Sequence, residues 1–202
     1  MRNYPAIFLS LAFFALAGGC SKITNNPPKG ETIVAFGDSL TSGVGADEGK
    51  TYPDFLAKRL GEPVLNRGVS GNTTGDGLKR LEQDVLSANP RIVIVWLGAN
   101  DILQQLPEAE AIDNLRKIVG AIQARGALVV LVGVPELPFR PNINDGVVRL
   151  AGEKGCVYIP YPMGGILRDP DLKSDPVHPN SKGYELIAER IAKQVEKYTR
   201  RP

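Results

Sequence analysis

The sequence has little of what several kinds of functional site require. Its 202 residues include one histidine, His178, and two cysteines, Cys20 and Cys156. Zinc sites usually need several such ligands, and two cysteines cannot build a disulfide framework. The net charge is only +2 and no basic stripe is visible, so a nucleic-acid partner is not predicted. Without a P-loop lysine motif or a full dinucleotide fingerprint, we expect no metal and no cofactor.

The chain begins with an apolar run that differs from the rest. Residues 6–17 read AIFLSLAFFALA after the positively charged Arg2. This run is too short to span a bilayer, which takes about 20 residues, and it is typical of a secretory signal peptide. The small residues before Cys20 resemble a bacterial lipobox, although Ala17 stands where leucine is commonest. We therefore expect a signal peptide over residues 1–19 and a lipid on Cys20.

The residue after Cys20 indicates where the protein resides. Ser21 resembles the outer-membrane sorting preference of Gram-negative lipoproteins, which places the domain in the cell envelope, on its periplasmic or outward face. A cleaved signal with an incidental Cys20 is the alternative.

Residues 20–31 are polar, with two prolines and a glycine, and predict a flexible tether. Residues 32–202 are then one domain, in which Cys156 is an inert buried thiol.

Short apolar runs alternate with amphipathic segments along this domain. Strands are predicted at Thr32–Phe36, Val64–Asn66, Arg91–Leu97, Ala127–Gly133 and Val157–Ile159. Helices are predicted at Tyr52–Leu60, Gly75–Ser87, Glu108–Arg125, Asn144–Lys154 and Ser181–Tyr198. The alternation predicts a three-layer α/β domain whose five parallel strands follow the doubly wound order 2-1-3-4-5. Ligands bind beyond the carboxyl ends of such strands.

Four short motifs fall at those strand ends or before the last helix. A serine needs a neighbouring base to act as a nucleophile, and Ser39 in GDSL follows the first strand. His178 in DPVHP is the one available imidazole, and Asp175, three residues earlier, can orient it. These three residues predict a catalytic triad. A turn serine and a capped proline-rich turn are the structural alternatives.

A tetrahedral intermediate also requires hydrogen-bond donors that already point at its oxyanion. The backbone N–H groups of Ser39 and Gly71 and the side-chain amide of Asn100 are the candidates. Gly71 lies in SGNTT after the second strand, and Asn100 lies in GAND after the third. A plain loop glycine and a polar cap on a buried strand are the alternatives for these two positions.

Together the four motifs resemble those of the GDSL or SGNH hydrolases. The matching residues are Ser39, Gly71, Asn100 and His178 with Asp175, in the family's order and across nearly the whole domain. The resemblance implies a flavodoxin-like α/β/α fold and metal-free hydrolysis of acyl esters, thioesters or lysophospholipids, as in the bacterial arylesterase, lysophospholipase and thioesterase branch. A carbohydrate or peptidoglycan O-acetylesterase and a non-catalytic binding lipoprotein are the alternatives. Asp38 is shared with the family and is interpreted as structural.

The acyl group would need apolar neighbours close to the predicted site. Leu103 and Leu106 follow GAND, and Leu137, Phe139 and Ile143 follow the fourth strand. We expect these five residues to contact the acyl chain, with ordinary loop packing as the alternative.

Overall fold

The computed structural model describes residues 22–136 and 142–199 of the chain. The predicted signal peptide, the lipidation site Cys20 and the predicted pocket residues Leu137 and Phe139 lie outside the described residues. Within the described ranges, no helix combines the length and apolar character that a membrane crossing requires.

A five-stranded parallel sheet forms the centre of the domain, in the order β2-β1-β3-β4-β5. The strands are β1 (Thr32–Gly37), β2 (Val64–Gly68), β3 (Pro90–Trp96), β4 (Leu128–Val132) and β5 (Val157–Ile159). All residues of β3 and β4 are buried, as expected for continuous branched runs covered on both faces. The predicted strands and their order are confirmed, with ends that differ by up to two residues.

Helices cover both faces of this sheet. They are α1 (Ser39–Ser42), α2 (Tyr52–Leu60), α3 (Thr74–Asp84), α4 (Ala99–Leu103), α5 (Glu108–Ala124), α6 (Ile143–Lys154) and α7 (Ser181–Thr199). Helix α2 packs on α7, and α5 packs between α3 and α6, so two helical layers enclose the strands. The three-layer fold predicted from the sequence is therefore confirmed.

Local sequence explains where the main helices begin and end. Thr51 and Asp54 form a capping box at the start of α2, and Gly61 ends that helix in a left-handed conformation. Thr73 and Asp76 form a second capping box, which starts α3 just after the Gly71 turn. The capping box thereby fixes the direction in which the chain leaves that turn.

Two features of the helices differ from the sequence-based prediction. Helix α3 ends at Asp84, earlier than predicted, and a 3-10 turn at Leu86–Ala88 leads to Asn89, whose φ of 49° is left-handed. The short helices α1 and α4 were not predicted, because four or five residues are too few to show a helical period.

The segment predicted as a flexible tether lies against the domain from residue 22 onward. The backbone N–H of Thr24 donates to the Gly155 carbonyl at 2.8 Å, and that of Lys29 donates to the Gly126 carbonyl at 2.9 Å. The side chain of Asn25 donates to the carbonyls of Gln123 and Ala127, both at 2.9 Å. These acceptors lie at the ends of α5 and α6, where helical carbonyls lack partners within the helix. Residues 22–31 are therefore a strap across the amino end of the sheet.

Candidate active site

The carboxyl ends of the central strands bring the predicted site residues to one edge of the sheet. Ser39 begins α1 directly after β1, Gly71 lies in the turn after β2, and Asn100 lies in α4 after β3. The loop before α7 supplies His178. All four residues line one cleft of about 390 Å³.

Ser39, His178 and Asp175 form a continuous hydrogen-bonded chain. The Nε2 atom of His178 lies 3.1 Å from the Ser39 Oγ, and its Nδ1 atom lies 2.8 Å from the Asp175 Oδ2. With a proton on Nδ1, the ring accepts at Nε2, which is the state that a base for the serine hydroxyl requires. The arrangement can therefore take a proton from Ser39 and hold the resulting imidazolium beside a carboxylate.

Local backbone bonds orient the carboxylate of Asp175. Its Oδ1 accepts the backbone N–H groups of Val177 at 2.8 Å and His178 at 2.9 Å. The Val177 bond, followed by the bond to the His178 ring, lowers the pKa of Asp175 below its usual value. The carboxylate thus stays ionised and keeps its second oxygen for the imidazole, although its side chain is 42% exposed.

The turn that carries His178 is closed by bonds within the same loop. The backbone N–H of Ser174 donates to the His178 carbonyl at 3.0 Å, and the Asn180 N–H donates to the Leu172 carbonyl at 3.0 Å. The Asn180 side chain also accepts from the Gly183 N–H at 3.2 Å at the start of α7. The imidazole is therefore positioned by a rigid turn joined to a long helix.

The three residues predicted to supply oxyanion donors, Ser39, Gly71 and Asn100, all line the cleft. Gly71 has a φ of 80°, a left-handed conformation that favours glycine. The Nδ2 atom of Asn100 donates to the Asn72 carbonyl at 2.9 Å and to the Asp38 Oδ2 at 3.3 Å. The Asn100 amide therefore already has two acceptors, and its contact with Asp38 is the longer of the two.

Asp38 is a buried carboxylate that borders the cleft. Its Oδ1 accepts the Leu40 N–H at 3.0 Å and caps α1, in agreement with the structural role expected for it. Burial, partly offset by this backbone bond, raises the pKa of Asp38 to about 6. Its contact with Asn100 also makes it a neighbour of the predicted oxyanion donors.

Asp101 is a supporting residue to which the sequence analysis gave no role at the site. It is buried and accepts the Thr74 N–H at 2.9 Å and the Thr74 hydroxyl at 2.6 Å. This pair joins the start of α3 to α4 and so holds the turn containing Gly71 against Asn100. The acid in GAND was the available signal, because a carboxylate beside a buried strand end needs donors.

Three of the five predicted acyl-contact residues, Leu103, Leu106 and Ile143, are among the described residues. Leu103 lines the cleft and is 57% exposed. Leu106 is half-buried and is not part of the cleft wall, whereas Ile143 is completely buried in the core near Gly98. The expected contact is not made by Ile143, because the first turn of α6 points that side chain into the core.

Several cleft residues were missed by the sequence analysis. The wall also contains Pro135, Tyr161 and Leu167 on one side and Pro176 and Val177 next to His178. Pro135 and Tyr161 follow β4 and β5, so the rule that ligands bind at carboxyl ends of strands could have identified them. Leu167 lies in a 3-10 turn, for which the sequence offers no comparable signal.

The chain is similar to known ester hydrolases over most of its length. Residues 35–186 match the profile of the GDSL-like Lipase/Acylhydrolase family. The arylesterase of Vibrio mimicus is 29% identical over 94% of this chain and 98% of its own. Thioesterase 1/protease 1/lysophospholipase L1 of Escherichia coli K12 is 28% identical over 96% of this chain and 92% of its own.

One further relative and one solved structure extend the comparison. An acetylxylan esterase of Geobacillus stearothermophilus is 32% identical over 82% of this chain and 94% of its own. The structure of the esterase EstA from Pseudoalteromonas sp., inhibited by monoethylphosphonate, superposes with a TM-score of 0.77 at 25% identity. The superposition covers 83% of this chain and 97% of EstA, so the likeness extends over the whole domain.

Proposed function

The chain belongs to the GDSL-like lipase/acylhydrolase family, and on that premise we propose that it is a serine esterase acting through Ser39, His178 and Asp175. One observation carries the proposal: the His178 ring lies within hydrogen-bond distance of both the Ser39 hydroxyl and the Asp175 carboxylate. A hydroxyl, an imidazole and a carboxylate in this order form the relay of serine hydrolases.

In the first half-reaction, the Ser39 Oγ attacks the acyl carbonyl carbon while His178 takes the hydroxyl proton. The carbonyl oxygen becomes an oxyanion held by the Ser39 and Gly71 N–H groups and the Asn100 amide. As the intermediate collapses, the bond to the leaving oxygen or sulfur breaks and His178 delivers the proton to it. The product of this step is an acyl ester of Ser39.

In the second half-reaction, water replaces the leaving group. His178 accepts a proton from the water, whose oxygen attacks the acyl carbonyl and forms a second oxyanion at the same donors. Collapse releases a carboxylic acid and returns the proton to the Ser39 oxygen. The ionised Asp175 stabilises the imidazolium in both halves, in keeping with its lowered pKa.

The walls of the cleft favour an apolar acyl group. Leu103 and Val177 remain 57% and 54% exposed at its rim, and Val69 is 42% exposed in the adjoining turn. These are three of the four large hydrophobic side chains that are exposed among the described residues. An apolar rim around a polar reaction centre suits small acyl esters, thioesters or lysophospholipids.

An O-acetylesterase acting on a carbohydrate is the second candidate. It is favoured by the acetylxylan esterase that shares 32% identity with this chain. The two candidates differ in the leaving group. The leaving group of the second is a sugar, which would need polar partners at the rim of the cleft. Release of acetate from acetylated xylan, compared with hydrolysis of p-nitrophenyl acyl esters, separates them. A binding lipoprotein without activity would hydrolyse neither.

The proposed enzyme resides in the cell envelope, held by a lipid on Cys20. The small-residue segment before Cys20 and the apolar run of residues 6–17 support this placement. Incorporation of labelled palmitate into the wild-type chain and its absence from Cys20→Ala would support the anchor. Equal incorporation in both chains would contradict it.

A panel of acyl esters tests the proposed activity. The soluble chain starting at Ser21 is compared with its Ser39→Ala variant on p-nitrophenyl acetate, butyrate and octanoate, on an acyl thioester and on a lysophospholipid. We expect the wild type to hydrolyse several of these and Ser39→Ala to lose several orders of magnitude in turnover. An active Ser39→Ala variant would rule out the proposed nucleophile.

A further inference from the structure

Arg80 in α3 connects the two turns that carry the proposed oxyanion donors. Its guanidinium Nη2 donates to the Gly37 carbonyl at 2.8 Å, immediately before Asp38 and Ser39. Its Nε donates to the Asn72 Oδ1 at 2.6 Å, immediately after Gly71. One side chain thus joins the chain after β1 to the chain after β2.

The third donor depends on the same residue through one more bond. The backbone carbonyl of Asn72 accepts the Asn100 Nδ2 at 2.9 Å. Because Arg80 fixes the Asn72 side chain, it also restrains the backbone of that residue and hence the acceptor of the Asn100 amide. The Arg80 guanidinium thus bonds two residues before Ser39 and one residue after Gly71. The Asn72 carbonyl connects it to the Asn100 amide by one further hydrogen bond.

Arg80 itself is held firmly and does not line the cleft. Its side chain is 16% exposed and its Nη1 donates to the Asp84 Oδ2 at 2.8 Å and to the Arg67 carbonyl at 3.0 Å. The guanidinium carbon lies 4.3 Å from the centre of the Phe36 ring, within cation–π range. A planar fork with several fixed donors can satisfy these partners together, which a lysine ammonium cannot.

We propose that Arg80 is a positioning residue that holds the donors of Ser39, Gly71 and Asn100 in register for the oxyanion. The inference rests on the proposed esterase function, because it assigns Arg80 a part in that reaction. Its effect is exerted through Gly37 and Asn72 and not by contact with substrate. A displacement of donors by about 1 Å can lower turnover by about a hundredfold.

Two single variants and a matched control test the proposal in the full-length chain purified in detergent. Arg80→Lys keeps the charge but loses the fork, and Asn72→Ala removes the side-chain acceptor while keeping the carbonyl. Arg67→Lys is the control: its side chain donates to the Asp84 carbonyl at 3.0 Å, and the backbone carbonyl of Arg67, which accepts from Arg80, stays in place in the variant. The readouts are kcat and KM for p-nitrophenyl acetate, together with the thermal midpoint.

We expect kcat to fall about ten- to a hundredfold in Arg80→Lys and Asn72→Ala while KM stays within about twofold. The kcat of the double variant should be little lower than that of the less active single variant, because both changes remove the same Arg80–Asn72 hydrogen bond. Arg67→Lys should keep wild-type kcat. A purely structural role would lower the thermal midpoint and leave kcat of the folded enzyme unchanged, which would overturn the proposal.

A spectroscopic readout separates this inference from the proposed function. In a ¹⁵N–¹H spectrum, the Asn100 side-chain amide and the Gly71 N–H should shift in Arg80→Lys and remain in place in Arg67→Lys. If the wild type hydrolyses no ester, the esterase proposal fails and the positioning role fails with it, even if these shifts occur. If the wild type is active but neither kcat nor these resonances respond to Arg80→Lys, only the Arg80 inference is overturned.

Discussion

The His178 imidazole and the Ser39 hydroxyl lie 3.1 Å apart although 139 positions of the chain separate them. Strand β1 delivers Ser39 to the carboxyl edge of the sheet, and the turn before α7 places His178 over the same edge. Asp175 completes the chain from within that turn. The proposed reactivity therefore depends on one tertiary contact, and each group in it can be altered separately.

Replacing Asp175 by asparagine should remove the charge that stabilises the imidazolium. We expect Asp175→Asn to lower kcat by roughly 10⁴-fold, the order seen when serine proteases lose this carboxylate. Stability should change little, because the side chain is 42% exposed. Ester hydrolysis and thermal unfolding measure the two effects.

The matched control is Asp113→Asn, whose carboxylate pairs with Lys117 on the surface of α5, outside the cleft wall. Wild-type kcat is expected there. An Asp175→Asn enzyme as active as this control would show that the carboxylate is not needed.

Asp38 should make the stability of the folded chain depend on pH. Burial raises the pKa of Asp38 from 3.8 to about 6. Between these values the folded chain binds the proton more tightly than the unfolded chain, so the free energy of unfolding falls as pH rises. Above pH 6 the decrease in the free energy of unfolding is complete and does not grow further.

The comparison that isolates this effect is Asp38→Asn against the wild type in urea unfolding at several pH values. The free energy of unfolding of the wild type relative to the variant should fall by about 2 kcal/mol from pH 4 to pH 7. Asp145→Asn, an exposed acid in α6, should show no such trend. A constant difference between Asp38→Asn and the wild type would contradict the buried, pKa-raised carboxylate.

Leu103 should determine how well longer acyl chains are used. We expect Leu103→Ser to lower kcat/KM for the octanoyl ester relative to the acetyl ester by about tenfold, since it removes several apolar carbons from the cleft wall. Val148→Ser is the control, because Val148 is similarly exposed, at 44%, but lies in α6 outside the cleft wall. Equal chain-length profiles for the two variants would remove Leu103 from the acyl site.

Asn25 should stabilise the strap across the amino end of the sheet. Asn25→Asp replaces the amide that donates to the Gln123 and Ala127 carbonyls with an oxygen that accepts. We expect the free energy of unfolding to drop by about 2 kcal/mol with unchanged kcat, because the strap lies at the opposite end from Ser39. Asn26→Asp makes the same charge change at the next, exposed residue and should cost much less.

The sheet and the contacts among Ser39, His178 and Asp175 could be predicted because their sequence signals are local. The branched runs of β3 and β4 indicate strands buried on both faces, and the carboxyl-end rule then places Ser39 and Asn100 at one edge. This rule predicts that the motifs meet without knowledge of any side-chain contact. The short spacing of Asp175 and His178 likewise made their contact foreseeable.

Other features depend on contacts that the sequence does not reveal. Residues 22–31 have the composition of a linker, yet they donate to carbonyls near helix ends that are distant in the chain, as Thr24 does at Lys154, 130 positions away. Ile143 lies in a loop-rich region by sequence, but the first turn of α6 buries it. The sequence places Arg80 in a predicted helix, but only the fold brings its guanidinium between Gly37 and Asn72.

Labelling by a fluorophosphonate probe, followed by intact mass and peptide mapping, tests most directly whether Ser39 is an activated nucleophile. The folded wild-type chain should gain one phosphonyl group on Ser39, and Ser39→Ala should gain none. Ser70→Ala, which alters another serine of the same cleft, should label like the wild type. A wild-type chain that stays unlabelled, or a Ser39→Ala chain that labels equally well, would contradict the proposed triad.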